Sequence, residues 1–201
     1  MSTTLDGRIA LVTGAGRGLG REAALSLAQS GAQLALVARS ADQLQHTADL
    51  IAERGGSAIA IAADISTAAG AESAKSAVED RLGAPHILVN AAGVFGPLET
   101  IAAGDPERWI ETLTINTVGP YRISQAFVDG MVSQGWGRII NYSSAAAFHP
   151  PGPLVSAYAT SKVALNQLTR HLAAELEGTG VTANVLHPGD VKTSMWSDIP
   201  H

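Results

Sequence analysis

The chain has 201 residues, 46% of them hydrophobic and only 15% charged. That is enough apolar side chain to bury a core and too little charge for a disordered or coiled-coil chain. Thirteen basic residues against eighteen acidic ones leave a net charge of −5, with no basic block to attract nucleic acid or an anionic membrane. With no cysteine, a disulfide framework, a thiolate zinc site and a cysteine nucleophile are all excluded. No apolar signal core occupies the first residues and no apolar run reaches membrane-spanning length, so a cytoplasmic protein is expected.

In chain order, Arg8 to Thr13 reads as a buried strand and Gly18 to Ser30 as a helix stopped by Gly31. Gln33 to Val37 is a second strand, and Ala41 to Arg54 a helix closed by Gly55 and Gly56. Ser57 to Ala62 and Ala68 to Leu82 repeat the cycle, and His86 to Asn90 is a fourth strand. Pro106 opens a long helical region to about Val132, with Gly119-Pro120 read as a kink or a packing notch. Strand Arg138–Tyr142, helix Tyr158–Glu177 and strand Val181–Leu186 complete the pattern. Strands and helices alternating in this way predict an α/β fold. It is a doubly wound parallel sheet of at least six strands between two helical layers, Rossmann-type, in one domain over residues 1–201. Ligands of such sheets bind beyond the carboxyl ends of the strands.

Glycine is over-represented, at 21 of 201 residues against a usual share of about 7%, and the first strand explains part of that excess. It runs into Thr13-Gly14-Ala15-Gly16-Arg17-Gly18-Leu19-Gly20 and then a helix. The spacing is not G-x-G-x-x-G, but the physical demand is the same. Side chains are missing where the backbone must turn and a pyrophosphate must approach a helix N-terminus. A dinucleotide site is expected there, with Gly14, Gly16, Arg17, Gly18, Leu19 and Gly20 as its floor. The second strand ends Val37-Ala38-Arg39-Ser40 with no carboxylate to grip a ribose 2′-hydroxyl. Arg39, Ser40 and Arg17 would instead suit a 2′-phosphate, which points to NADP in preference to NAD. Asp64 and Ile65, ending the third strand, are assigned to the adenine side.

Tyr158 and Lys162 lie four apart at the start of a helix, so they share a face. Bringing a phenol of pKa about 10 near neutrality takes roughly 4 kcal/mol. An ammonium some 4 Å away at an effective dielectric of about 20 supplies that much.

These features together resemble the short-chain dehydrogenase/reductase family across nearly the whole chain. Thr13 to Gly20 is similar to its T-G-x-x-x-G-x-G loop, and Asn90-Ala91-Ala92-Gly93 to its N-N-A-G element, with Ala91 replacing the second asparagine. Asn116 matches its helix asparagine, Ser144 its serine, Tyr158 to Lys162 its Y-x-x-x-K, and His187-Pro188-Gly189 with Val191 and Thr193 its nicotinamide-side stretch.

The resemblance implies an oxidoreductase that moves a hydride between NADP(H) and a carbonyl or secondary alcohol. Tyr158 would be the acid/base, Lys162 would lower its pKa and hold the nicotinamide ribose, and Ser144 would hold the substrate oxygen. Asn116 would anchor a water, and Asn90, Ala91, Gly93, Pro188, Gly189, Val191 and Thr193 would border the cofactor. Ser143 stays open as the alternative to Ser144. The stretch from Ser144 to Tyr158 is about one residue longer than the usual family spacing and is stiffened by Pro150, Pro151 and Pro153.

The loops after Asn90, Ser144 and Thr193 are mainly apolar (Phe95, Pro97 and Leu98; Ala145 to Phe148; Met195 and Trp196). They suggest an uncharged ketone, aldehyde or alcohol. No histidine group has metal-ligand spacing; His171 and Glu175 read as a helix-surface pair. Against the family pattern, the chain stops just past the sixth strand, short of the substrate-capping segment and seventh strand expected there. A homo-oligomer, dimer or tetramer, is expected through the long helices. The alternative function is a non-catalytic NADP-binding sensor or scaffold of the same fold.

Overall fold

The strand Ile9–Thr13 (β1) is buried at every position, because it is the centre of the sheet and both its faces are covered. In the computed structural model, which describes residues 4–148, 152–189 and 191, the chain continues through α1 (Gly18–Gln29), β2 (Gln33–Ala38) and α2 (Ala41–Glu53). It proceeds through β3 (Ser57–Ala62), α3 (Ala68–Arg81) and β4 (Ile87–Asn90). The second half comprises α4 (Pro106–Leu113), α5 (Gly119–Ser133), β5 (Gly137–Tyr142), α6 (Ser156–Glu175) and β6 (Val181–Leu186). All six strands are parallel, in the order β3-β2-β1-β4-β5-β6. The expected Rossmann-type α/β sheet is therefore what forms.

Alternate residues of each strand point to opposite layers. Ala10, Val12, Leu34 and Leu36 pack with Ala24 and Leu25 of α1 and with Leu44 and Ile51 of α2. Leu11, Val37, Leu88 and Ile139 pack with Val78 of α3 and with Ile123 and Phe127 of α5 on the other side. Burying such side chains contributes roughly 1.5–3 kcal/mol each. The strand order reverses between β1 and β4, whose registers bring Thr13 beside both Val37 and Asn90. A crevice opens beyond those ends, as this topology requires.

One element differs from expectation. The long helix does not merely kink at Gly119-Pro120; it divides into α4, a π-helical turn over Thr114–Val118, and α5. Pro120 has no N–H to give to the carbonyl four residues back, at Asn116. The ladder widens instead, and the Gly119 N–H reaches Thr114 O. Such π turns interrupt helices often at functional sites, and Asn116 lies inside this one. Among the described residues, no helix is long and apolar enough to cross a membrane.

Candidate active site

The loop after β1 is shaped by what its glycines lack. Gly14 has φ +67°, and a Cβ there would stand 2.7 Å from Ala92 Cα and N, on the loop after β4. A Cβ on Gly20 would overlap the Gly14 carbonyl, so α1 can pack this close only without one. The loop is held from behind. Thr47 Oγ1 of α2 donates to Ala15 O at 3.0 Å, and Arg21 donates to Gly16 O and, through Nε, to Thr47 Oγ1 at 3.2 Å. Whereas α2, α3 and α4 carry side-chain caps from Ser40, Thr67 and Asp105, α1, like α5 and α6, has none, its N-cap being Arg17. Its first N–H groups are left for an anion.

A cleft of about 530 Å³ opens over this loop. Gly14, Gly16, Arg17, Gly18, Leu19 and Gly20 form its floor, as expected. Arg39 and Ser40, Asp64 and Ile65, and Ala91 and Gly93 line its sides. Gln43, Ser66, Val94 and Ile115 also line it and were not anticipated. Ser66 had a legible signal, because an Asp two residues before a Ser favours a local turn. Its amide and hydroxyl donate to Asp64 Oδ1 at 3.0 and 2.7 Å. The Ser66 hydroxyl is the main reason the Asp64 carboxyl is held below its usual range; burial opposes this, and the Arg39 guanidinium adds a smaller pull. Among the described residues the only ion pair is Arg108–Glu99, so Arg17 and Arg39 have no contacting carboxylate there. The Ser40 hydroxyl accepts from Gln43 N at 3.4 Å as the α2 cap. This glycine floor, uncapped helix and pair of unpaired guanidiniums fit a dinucleotide.

Asn90 lies elsewhere. It is 1% exposed, and its amide donates to Asn141 Oδ1 at 2.8 Å and to Ser124 Oγ at 3.4 Å. Asn141 in turn donates to Thr169 Oγ1 at 2.8 Å. The side chain thus locks β4, β5, α5 and α6 together beneath the cleft and does not line it.

The second cluster sits at the carboxyl ends of β4 and β5. Lys162 is 6% exposed, and its Nζ donates to Tyr142 O at 2.9 Å and stands 5.6 Å from the Tyr158 ring centroid. Burial pushes this ammonium down to about 8. It comes up to the cleft wall at Gly93, where a Cβ would lie 3.7 Å from Nζ. The sequence leads to an ammonium-lowered phenol at Tyr158, and here the structure differs. Burial pushes the Tyr158 phenol up, and the adjacent Ser144 hydroxyl pulls the other way. Neither Tyr158 nor Lys162 lines the glycine-floored cleft itself; the ammonium stands behind its Gly93 wall, engaged by a carbonyl and partly destabilised by desolvation.

Of the two serines, Ser144 lies beside the phenol, its hydroxyl also accepting from Ala146 N at 3.2 Å. Ser143 is buried, and its hydroxyl has no partner among the described residues. Asn116 is fully buried: its Oδ1 accepts from Val94 N at 2.8 Å, and its Nδ2 donates to Val94 O at 2.8 Å and Ser161 Oγ at 3.0 Å. Both amide hydrogens and one lone pair of Oδ1 are spent on clamping the loop after β4 to α6. Pro188, Gly189 and Val191 follow β6 at the same end of the sheet, and none of them lines the cleft. Thr193, Met195, Trp196, Pro150 and Pro151 lie outside the described residues.

Known proteins resemble this chain in sequence and in fold. Residues 8–201 match the profile of the family described as short chain dehydrogenase. The chain is 38% identical over 193 residues to a short chain dehydrogenase of Pseudocercospora fijiensis, covering 95% of this chain and 62% of that protein. It is 36% identical over 206 residues to the NADPH-dependent aldehyde reductase-like chloroplastic protein of Arabidopsis thaliana, covering 96% and 76%. The fold matches the crystal structure of L-sorbose reductase from Gluconobacter frateurii, complexed with NADPH and L-sorbose, with a TM-score of 0.93 at 31% identity. That match covers 98% of this chain and 74% of the other. The chain thus spans between 62% and 76% of these relatives' lengths, and it belongs to the short-chain dehydrogenase family.

Proposed function

We propose that this protein is an NADP-dependent oxidoreductase acting on a carbonyl/secondary-alcohol pair. One observation carries the reading. The buried Lys162 ammonium reaches the Gly93 wall of the glycine-floored cleft while standing beside Tyr158, which joins a dinucleotide site to an acid/base group. The dinucleotide would be held by the loop from Gly14 to Gly20, with Arg39 and Arg17 at a 2′-phosphate, and would supply the hydride. Pro188, Gly189, Val191 and Thr193 would border its nicotinamide end.

The protein's own part is proton transfer and orientation. The Tyr158 O–H donates to the oxygen of a bound carbonyl, and the Ser144 hydroxyl holds the same oxygen. A phenol pushed up by burial keeps its proton at neutral pH, which suits the reducing direction. Lys162 has three N–H groups; one is spent on Tyr142 O, which leaves two for a ribose hydroxyl and the phenol. With its pKa near 8, the lysine remains an ammonium at neutral pH and loses its charge as the pH rises past that value. The apolar side chains Phe95, Leu154 and Phe148 near this end favour an uncharged substrate. Ile110, Val118, Tyr121 and Val132 of the α4–α5 stretch and Val163 of α6 are exposed apolar side chains. They support a homo-oligomer through these helices, and a light-scattering mass equal to a monomer's would refute it.

The test is Tyr158→Phe, assayed for NADPH oxidation with a panel of ketones and aldehydes while NADPH binding is followed by fluorescence. Lost turnover with binding retained supports the reading. Retained turnover overturns it, and NADPH binding by the wild type with no turnover of any carbonyl leaves the sensor role instead.

A further inference from the structure

Phe95 is stacked on Tyr158, ring centroids 4.6 Å apart and planes inclined by 21°. Aromatic pairs in this geometry attract beyond their buried area, but a stack orders its partner only if it is itself held. The main chain that carries Phe95 is held on both sides. On its N-terminal side, both main-chain groups of Val94 are gripped by the Asn116 amide. On its C-terminal side, Gly96 has φ +78° and lies so close to Thr112 that a Cβ would overlap the threonine hydroxyl. Thr112 is 1% exposed and tied to Arg108 O at 2.9 Å.

The partner's helix is braced against the same frame. Glu99 N donates to Leu154 O at 3.1 Å, joining the Phe95 loop to the segment leading into α6. Trp109 Nε1 of α4 reaches Ser156 Oγ at 3.3 Å, two residues before Tyr158. Thr117 Oγ1 donates to Ser161 O at 2.9 Å, three residues after it. Loops are ordinarily the mobile part of such a site. This one is strapped to α4, to the π turn and to the start of α6, and it offers one side chain to one face of the phenol ring.

We propose that Phe95 is a positioning residue whose ring holds the Tyr158 ring in the orientation that aims its hydroxyl at the substrate oxygen. This rests on Tyr158 being the acid/base group. A tyrosine turns about two side-chain torsions. Ser144 acts at its polar end and the Lys162 ammonium lies over the ring at 5.6 Å from its centroid, while the Phe95 stack, at 4.6 Å, is the closer contact on a ring face. A misplacement of an ångström in a reacting group costs about a hundredfold in rate, so an unheld ring would register in turnover rather than in cofactor binding.

The test needs no known substrate for its first arm. With ring-labelled tyrosine, the three tyrosines are assigned by NMR using Tyr→Phe variants. The Tyr158 ring protons are expected upfield under the Phe95 ring current. In Phe95→Leu that shift should vanish and the Tyr158 signals broaden, with Tyr121 and Tyr142 unmoved. The second arm measures NADPH oxidation with 4-nitrobenzaldehyde as the probe carbonyl. Phe95→Leu should lower kcat about tenfold with the NADPH Kd unchanged, and Phe95→Tyr, which keeps a ring, should restore it. Tyr158 resonances identical in wild type and Phe95→Leu overturn the proposal, as does a kcat equal to wild type in Phe95→Leu. If Tyr158→Phe itself keeps turnover, the acid/base reading fails; if it loses turnover and Phe95→Leu does not, only the positioning role fails.

Discussion

The two halves of the site are built on opposite principles. On the β1–β3 side, function is made by removal: Gly14 and Gly20 stand where no Cβ fits, and the caps that finish α2 and α3 have no counterpart on α1. On the β4–β6 side, function is made by crowding. Asn90, Asn141 and Thr169 form a buried chain of amides and hydroxyls, Asn116 clamps Val94 and Ser161 through its amide, and Lys162 is almost fully enclosed. In the proposed reading the first half would present backbone to a large anion, which needs shape. The second would hold a few atoms in register and change the protonation of one, which needs a low dielectric. An error in the first should cost binding, and an error in the second should cost turnover.

The largest expected effect is on the crowded side. Tyr158→Phe should lower turnover by about 10²–10⁴-fold, the usual worth of a positioned acid/base group. NADPH affinity should stay within a factor of two or so, as read by fluorescence titration; a matching loss of affinity would erase the division between the halves. Next comes the energetic cost of enclosing Lys162. Its folded pKa near 8 lies below the unfolded value of about 10.4, so the unfolded chain binds more protons between those two values and stability rises with pH across that window. Denaturant melts of wild type and Lys162→Met should run parallel below about pH 8. Wild type should then gain about 3 kcal/mol relative to the variant by about pH 10.4. A constant difference at every pH would mean the ammonium is not desolvated.

On the open side, Gly14→Ala forces an alanine into φ +67° against Ala92. It should lose roughly 1–3 kcal/mol of stability together with measurable NADPH binding. Smaller still, Arg39→Ala should weaken NADPH binding about tenfold, in line with about 1.5 kcal/mol for a hydrogen bond to a charged group. NADH binding should be unchanged, and equal losses for both cofactors would remove Arg39 from the 2′ position. The smallest effect sharpens the comparison from outside the site. Thr67→Ala removes the α3 cap, where Oγ1 accepts from Gly70 N at 3.0 Å. It should cost about 1 kcal/mol in a melt and leave both cofactor binding and turnover intact.

Legibility followed the same division. The glycine loop could be read almost residue by residue, because a missing side chain is a property of the letter itself and its context is strand before, helix after. All twelve of Gly14, Gly16, Arg17, Gly18, Leu19, Gly20, Arg39, Ser40, Asp64, Ile65, Ala91 and Gly93 line the cleft. Asn90 was assigned to the cofactor from its place beside them, yet its side chain turns to Asn141, a strand neighbour that is 51 positions away in sequence. The kink or packing notch read at Gly119-Pro120 became a π turn, since the missing proline N–H says that the ladder must yield but not how.

By itself, then, the sequence determined the alternation of buried strands with amphipathic helices, the parallel sheet that follows from it, the glycine floor and the four-residue spacing of Tyr158 and Lys162. These depend on local chemistry and on short, regular periods. Tertiary structure alone decided which serine meets the phenol, that Asn116 clamps Val94, that Phe95 covers Tyr158, and that burial outweighs the Ser144 hydroxyl in setting the phenol's pKa. Each of those depends on groups from separate segments meeting in a common low-dielectric space, and desolvation has no value until the surrounding atoms are in place.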